Sequence, residues 1–332
     1  MKKRTAVVLA LATLPSAATS ASPFGTGWFA GADPDINRIV IPGENNGNPM
    51  FVVYVTGTRV FTSPDMITWR DRGLMLDIKD PNRNDVPWLV EGRAERGLWA
   101  PDMVVANGKY YLFYSVGPNS FGSEVAVAVC DSPLPPCRDT NANAGPLPVS
   151  KSSDFEAIDP MVFSDPKDGT RYLYLGGSAG SRMRVFRLGT NLTSIASEVA
   201  NVPQPGSFTE GPFMHARLVD NVRTYYLSYS NGSWDRSNYN VKYVTSGSAL
   251  GPWSSPTTIL QSDNLYKGPG HHSILYNTTS QRWTIAYHRW EGRTGDGPYK
   301  GSDPAGPRKV AVARMTYSGT AIQPINMQST AQ

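Results

Sequence analysis

Three carboxylates occupy matching places along the chain: Asp33 in Ala32-Asp33-Pro34, Asp159 in Ile158-Asp159-Pro160, and Glu210 in Thr209-Glu210-Gly211-Pro212. Two further segments, Trp99-Ala100-Pro101-Asp102 and Gly268-Pro269-Gly270-His271-His272, have the same setting. Carboxylates on opposite sides of one pocket can divide the work of breaking a glycosidic bond. One protonates the departing oxygen while the other activates water. A third can hold the acid's pKa up by like-charge repulsion. Taken singly, an Asp before Pro is an ordinary way to begin a turn. Recurrence at one phase of a repeat turns the reading toward chemistry.

The repeat is carried by aromatic-rich strands that follow each of these segments. They run through Phe51, Tyr110, Tyr172, Tyr225 and Trp283, at steps of 59, 62, 53 and 58 residues. A second strand follows each one, as in Arg59-Val60-Phe61-Thr62 and Lys309-Val310-Ala311-Val312-Ala313. Helical periodicity is almost absent. Five copies of one long pattern predict an all-β, five-bladed β-propeller, each blade a four-stranded antiparallel sheet. A pair of β-sandwiches would explain alternating strands but not five copies. The segments ahead of the aromatic strands would be the innermost strands, converging on the axis.

The ordered set Ala-Asp-Pro, Trp-Ala-Pro-Asp, Ile-Asp-Pro, Glu-Gly-Pro and Gly-Pro-Gly-His resembles glycoside hydrolase family 43. The resemblance covers nearly all of the chain beyond its first residues. It implies an inverting glycoside hydrolase with Asp33 as general base, Glu210 as general acid and Asp159 as modulator of the acid's pKa. Asp35 competes with Asp33, because a strand puts positions two apart on one face. Asp102 is expected to be structural. Trp99, Phe213, His271 and Arg308 are expected to bind the sugar, with Arg289 as the alternative to Arg308. His271 would also lie beside an ion on the axis, calcium by the resemblance, held through water. The residues around Glu210 and Tyr287-His288-Arg289-Trp290 look most like exo-acting α-L-arabinofuranosidases or exo-arabinanases. β-Xylosidase and endo-arabinanase activity are the family alternatives. Loop heights at residues 77–98 and 291–307 would decide between endo and exo action.

The remaining features bound the setting. Met1-Lys2-Lys3-Arg4, a short apolar run and small residues up to Ala21 have the form of a secretory signal over residues 1–21, leaving 22–332 as the propeller. Without that segment the formal charge falls from +4 to about +1, which gives no ground for nucleic-acid partners. No stretch reaches membrane length. With the substrate implied by the resemblance, a secreted monomer acting on arabinan or arabinoxylan is expected, extracellular or periplasmic according to the host. Export also predicts that Cys130 and Cys137, the two cysteines of the chain, close a small disulfide loop. The reading from another class is a propeller lectin, which would bind sugar without needing the three carboxylates.

Overall fold

The computed structural model describes residues 28–328, apart from 91, 119, 121 and 151. The signal segment expected over residues 1–21 lies outside them. Beyond β1 (Phe29–Ala30), blade one is formed by β2 (Asp35–Ile39), β3 (Met50–Val55), β4 (Arg59–Ser63) and β5 (Arg70–Leu74). Blade two follows with β6 (Gly97–Ala106), β7 (Lys109–Gly117) and β8 (Glu124–Cys130). Blade three has β9 (Met161–Ser164), β10 (Arg171–Leu175), β11 (Arg184–Leu188) and β12 (Ile195–Glu198). Blade four has β13 (Glu210–Val219), β14 (Val222–Asn231), β15 (Asn240–Ser246) and β16 (Thr257–Leu260). In blade five, β17 (Tyr266–Lys267) and β18 (His272–Asn277) both pair with β19 (Arg282–Glu291), which pairs with β20 (Lys309–Met315). A small hairpin, β21 (Tyr317–Ser318) and β22 (Ala321–Ile322), follows.

Two blades depart from the four-strand expectation. Blade two has three strands among the described residues, because the chain leaves β8 through a loop closed by a Cys130–Cys137 disulfide, Cα atoms 5.1 Å apart. Blade five takes its outer strand from the other end of the chain: β1 pairs antiparallel with β20, Phe29 opposite Val310. That pairing closes the ring.

Alternation along the central strands explains why they read as unbroken apolar runs. In β3, Val52 and Tyr54 point into the core shared with blade two, while Val53 and Val55 point into the core shared with blade five. In β7, Leu112, Tyr114 and Val116 face blade one, and Tyr111 and Phe113 face blade three. Both faces of every blade are therefore buried, and five inter-blade cores surround the axis. Each fully buried large side chain there contributes about 1.5–3 kcal/mol.

The closing strand is held by aromatic packing. Phe29 stacks on Phe61 of blade one with centroids 3.7 Å apart, and Trp28 lies 4.5 Å from Trp69. Phe29→Ala is therefore expected to cost about 2 kcal/mol. The loss should appear as a lower midpoint in urea denaturation with little change in slope; an unchanged midpoint would show that β1 does not hold the ring.

Candidate active site

The five innermost segments share one backbone feature. Asp33, Ala100, Asp159, Gly211 and Gly270 all have positive φ (53°, 42°, 56°, 63° and 140°), and each stands directly before Pro34, Pro101, Pro160, Pro212 or His271. Positive φ is uncommon for residues other than glycine, and Asp tolerates it better than most. The kink decides which side chains face the pocket. In blades one and three the kinked residue itself, Asp33 or Asp159, lines the cavity. In blades two and four the preceding residue does so, Trp99 or Glu210, where the pairing register shifts by a bulge.

The pocket has a volume of about 390 Å³ and is lined by Asp33, Thr56, Trp99, Glu156, Ile158, Asp159, Ser178, Glu210, Trp234 and Arg308. Side chains from neighbouring blades accept three of the kinked N–H groups. Asp33 donates to Nδ1 of His288 at 3.1 Å, Ala100 to Oγ1 of Thr56 at 3.0 Å, and Asp159 to Oγ of Ser115 at 2.8 Å. The Thr56 hydroxyl in turn donates to Oδ2 of Asp33.

The surroundings drive the carboxylates apart. Burial alone would raise the pKa of Asp33, but the Arg308 and His271 charges outweigh it and hold the group well below the usual carboxylate range. Arg308 Nη1 is 3.6 Å and His271 Nδ1 3.9 Å from Oδ1 of Asp33. Glu210 is pushed up to about 7 by burial and by the charges of Asp159 and Asp33, against the hydrogen bonds it accepts. Those bonds come from Ser178 Oγ at 2.5 Å and Tyr239 Oη at 2.6 Å. His271 Nδ1 lies 3.4 Å from Oδ2 of Asp159. Burial would lower the pKa of His271, yet Asp159, Asp33 and Glu210 raise it to about 9. The arrangement thus holds an ionised carboxylate and a protonated one around one cavity near neutral pH, the pairing that acid–base cleavage requires.

Trp99 and Arg308 line this pocket as expected. Arg308 stands beside Asp33 and over the Trp234 ring, 4.7 Å from its centroid, rather than on Glu210. Arg289 is buried elsewhere, paired with Glu291 and donating to the carbonyl of Met327. Neither Phe213 nor His271, both expected to bind the sugar, is among the residues lining the pocket. Phe213 sits beneath it, where the core shared by blades three and four meets that shared by blades four and five, with its ring 6.0 Å from His272. The reason is the bulge in β13, which turns Glu210 upward and Phe213 downward.

Asp35 also lies below. Its Oδ2 accepts from Asn37 Nδ2 at 2.6 Å and from the N–H of Met103 at 2.8 Å. Burial raises the pKa of Asp35 to about 7. Asp102 likewise accepts from the N–H of Val162 at 3.0 Å, in the structural role expected of it.

Sequence reasoning passed over Thr56, Glu156, Ser178, Trp234, Tyr239 and His288. Ser, Thr and Tyr at strand ends carry no distinctive signal; Trp234, in the β14–β15 loop, was visible only as one tryptophan among eight. Loop residues 77–79 line a separate cavity of about 310 Å³ that meets the pocket only at Thr56 and Trp99.

Among the described residues, no group of three or more His, Cys, Asp or Glu side chains is arranged to hold a metal ion. Calcium takes six to eight oxygen ligands. Around His271 the chain brings one imidazole and two carboxylates already engaged with Thr56, His288 and His271 itself. These donors alone do not make up a calcium shell.

A five-bladed propeller with such an axial pocket defines a class of protein, the propeller glycoside hydrolases. Comparison with known sequences gives the family. The pattern of glycosyl hydrolases family 43 matches residues 48–321, and the chain belongs to that family, whose mechanism is inverting. It is 31% identical over 298 residues to a β-D-galactofuranosidase of Aspergillus niger, covering 84% of this chain and 79% of that enzyme. An extracellular endo-α-(1→5)-L-arabinanase of Thermotoga petrophila is 24% identical, over 80% of this chain and 66% of its own. The fold matches the Cellvibrio cellulosa α-L-arabinanase in complex with arabinohexaose at a TM-score of 0.67, with 20% identity, 90% of this chain and 96% of that one.

Glycine makes the seat for Trp99. A Cβ on Gly117 would come 1.9 Å from the indole, and one on Gly97 2.7 Å from its Nε1. Gly117→Ala must therefore displace the ring. It is expected to raise KM or lower kcat/KM by about 10²-fold while circular dichroism stays native; unchanged kinetics would remove Trp99 from the working pocket.

Proposed function

We propose that this chain is an exo-acting α-L-arabinofuranosidase or exo-arabinanase that releases single furanose units from arabinan or arabinoxylan with inversion. The observation that carries the reading is the pocket's closed floor. Pro34, Pro101, Pro160, Pro212 and His271 crowd the axis beneath it, around a residual cavity of about 10 Å³. A pocket of about 390 Å³ lies at the lower end of the range for small-ligand sites. It suits one terminal sugar with Trp99 and Trp234 against its apolar faces.

In this mechanism Asp33 is the general base. Arg308 and His271 keep it ionised, and Thr56 and His288 fix its orientation. Water held by Asp33 attacks the anomeric carbon as Glu210, protonated near neutrality, gives its proton to the leaving oxygen. Asp159 sustains the proton on Glu210 by its charge and pairs with His271. Arg308, beside Asp33 and stacked on Trp234, is placed to meet sugar hydroxyls.

The likeness to the Aspergillus niger enzyme supports a second reading, β-D-galactofuranosidase. β-D-Galactofuranose and α-L-arabinofuranose share their ring stereochemistry and differ in the exocyclic carbon. β-Xylosidase and endo-arabinanase activity are the remaining family readings. Secretion is proposed from the leading segment; two of the relatives are described as extracellular. No described helix is long and apolar enough to cross a membrane.

The test is hydrolysis of 4-nitrophenyl α-L-arabinofuranoside, β-D-galactofuranoside and β-D-xyloside, together with debranched arabinan, with the anomer of the first product read by NMR. The expected product is monomeric arabinose in the β configuration; longer oligosaccharides from arabinan would make the enzyme endo-acting. Asp33→Asn and Glu210→Gln should each lose at least about 10²-fold in kcat. Glu210→Gln should lose least on aryl glycosides, whose leaving group needs little protonation. Asp35→Asn should keep activity within about tenfold, since its carboxyl faces the axis below.

The pH dependence follows from the same groups. Because Glu210 works protonated and its pKa is raised to about 7, kcat/KM should fall as pH rises through about 7. Asp33 stays ionised far below that, so the acid limb should lie well under the ordinary carboxylate range. A plateau continuing to pH 9 would remove Glu210 from the acid's role.

A further inference from the structure

We propose that Glu156 is a positioning residue: it pins the glycine-rich loop 176–181 so that Ser178 holds the carboxyl of Glu210 in the orientation from which its proton is delivered. The inference rests on the reading of Glu210 as general acid. Glu156 is a buried carboxylate in the pocket wall that the acid–base scheme leaves without a task. Both of its oxygens are engaged by the protein. Oε1 accepts from the Ser123 hydroxyl of blade two at 2.8 Å, and Oε2 accepts from the N–H of Ala179 at 3.2 Å. Its backbone also bridges Gly177.

The loop has almost no room to move. A Cβ on Gly180 would meet the carbonyl oxygen of Asp154 at 2.0 Å, and one on Gly177 would meet Cβ of Glu210 at 2.3 Å. The loop is thus pressed between residues 154–156 and the acid. Ser178 has φ 41° and ψ −88°, a sparsely populated conformation that costs a non-glycine residue about 1–3 kcal/mol and persists only where neighbours impose it. The anchor imposing it is the next residue's N–H, held by Glu156. Ser178 Oγ then reaches Oε2 of Glu210 at 2.5 Å, while Tyr239 from blade four's own loop holds Oε1. One oxygen of the acid is therefore fixed from within its blade and the other from blade three, through Glu156.

Several groups act on Glu210. Asp159 and Asp33 face it with negative charge, His271 faces it from the axis, and the Ser178 and Tyr239 hydroxyls donate to it. Freeing the loop removes one of those donors and should move the titration of Glu210 upward.

The experiment compares Glu156→Ala, Glu156→Gln, Ser178→Ala, Ser123→Ala and the double variant E156A/S178A in the full chain. Two readouts are taken. One is the titration of Glu210 by ¹³C NMR of side-chain carboxyl-labelled glutamate, assigned through Glu210→Gln. The other is the pH profile of kcat/KM on 4-nitrophenyl α-L-arabinofuranoside, β-D-galactofuranoside and β-D-xyloside. Glu156→Ala and Ser178→Ala should each raise the Glu210 titration by about one pH unit, the worth of one hydrogen bond to a charged group. They should lower kcat/KM about tenfold or more. The double variant should match Ser178→Ala alone, because the two residues act in series.

Glutamine can accept from Ala179 through its amide oxygen and donate to Ser123 through its NH₂. Glu156→Gln should therefore recover most of what alanine loses. Ser123→Ala should give a weaker shift in the same direction, and it serves if Glu156→Ala does not fold. The proposal is overturned if glutamine does no better than alanine, if the Glu156 and Ser178 effects add, or if the Glu210 titration does not move. A titration that moves while the alkaline kinetic limb stays put would leave the link intact and remove Glu210 as general acid.

Discussion

The site depends on one hydrogen bond repeated at three of the five kinks: the N–H of the kinked residue is accepted by a side chain of the neighbouring blade. Asp33 leans on His288, Ala100 on Thr56 and Asp159 on Ser115. A left-handed residue other than glycine costs about 1–3 kcal/mol, and a net hydrogen bond returns about 0.5–1.5 kcal/mol. Neither alone secures the kink. What secures it is that each acceptor lies on or beside the central strand of a blade locked on both faces into inter-blade cores. The geometry of the pocket is thus a property of the closed ring. The first described strand, β1, belongs to the site as surely as the carboxylates do, although it touches none of them.

The kink also separates the two carboxylate roles, because it chooses their neighbours. Burial pushes both Asp33 and Glu210 toward the neutral form. Around Asp33 the cations Arg308 and His271 stand within 4 Å and reverse that push. Around Glu210 the close partners are the hydroxyls of Ser178 and Tyr239, which soften the effect of burial without cancelling it. Neutral donors on one side and cations on the other are enough to place an acid and a base in one cavity at one pH. His271 binds the two halves together, since it faces both Asp159 and Asp33.

What the sequence made legible was phase. The aromatic strands, their spacing and the segments before them fixed five blades, and the carboxylates at one phase do converge on one pocket. Asp-Pro as a plain turn and Asp-Pro as a site residue were rival readings, and the kinked turn is what aims Asp33 and Asp159 into the pocket. Period-two alternation put Asp33 and Asp35 on one face, but φ of 53° at Asp33 breaks the alternation, so one carboxyl rises into the pocket and the other descends. The same break misled the reading of Phe213. Glu156, Ser178, Tyr239 and His288 were not legible because their importance comes from what lies beside them in neighbouring strands and loops. Trp234 depends on a loop whose path no repeat dictates.

Below the pocket a second set of contacts clamps the same segments from the other side. Three residues past four of the five kinks, the N–H of Met103 is accepted by Asp35, that of Val162 by Asp102, that of Met214 by the sulfur of Met161, and that of Ile36 by the Ser273 hydroxyl. Each of these bonds crosses from one blade to the next. The upper ring fixes the kinked residue and the lower ring fixes the strand that follows, with a proline or His271 between them. Asp35 and Asp102, in the same motifs as the catalytic candidates, serve here as acceptors of backbone N–H groups from the next blade, and burial pushes the pKa of both upward, toward the neutral form. Identical motif positions thus divide by height along the axis, chemistry above the prolines and assembly below them.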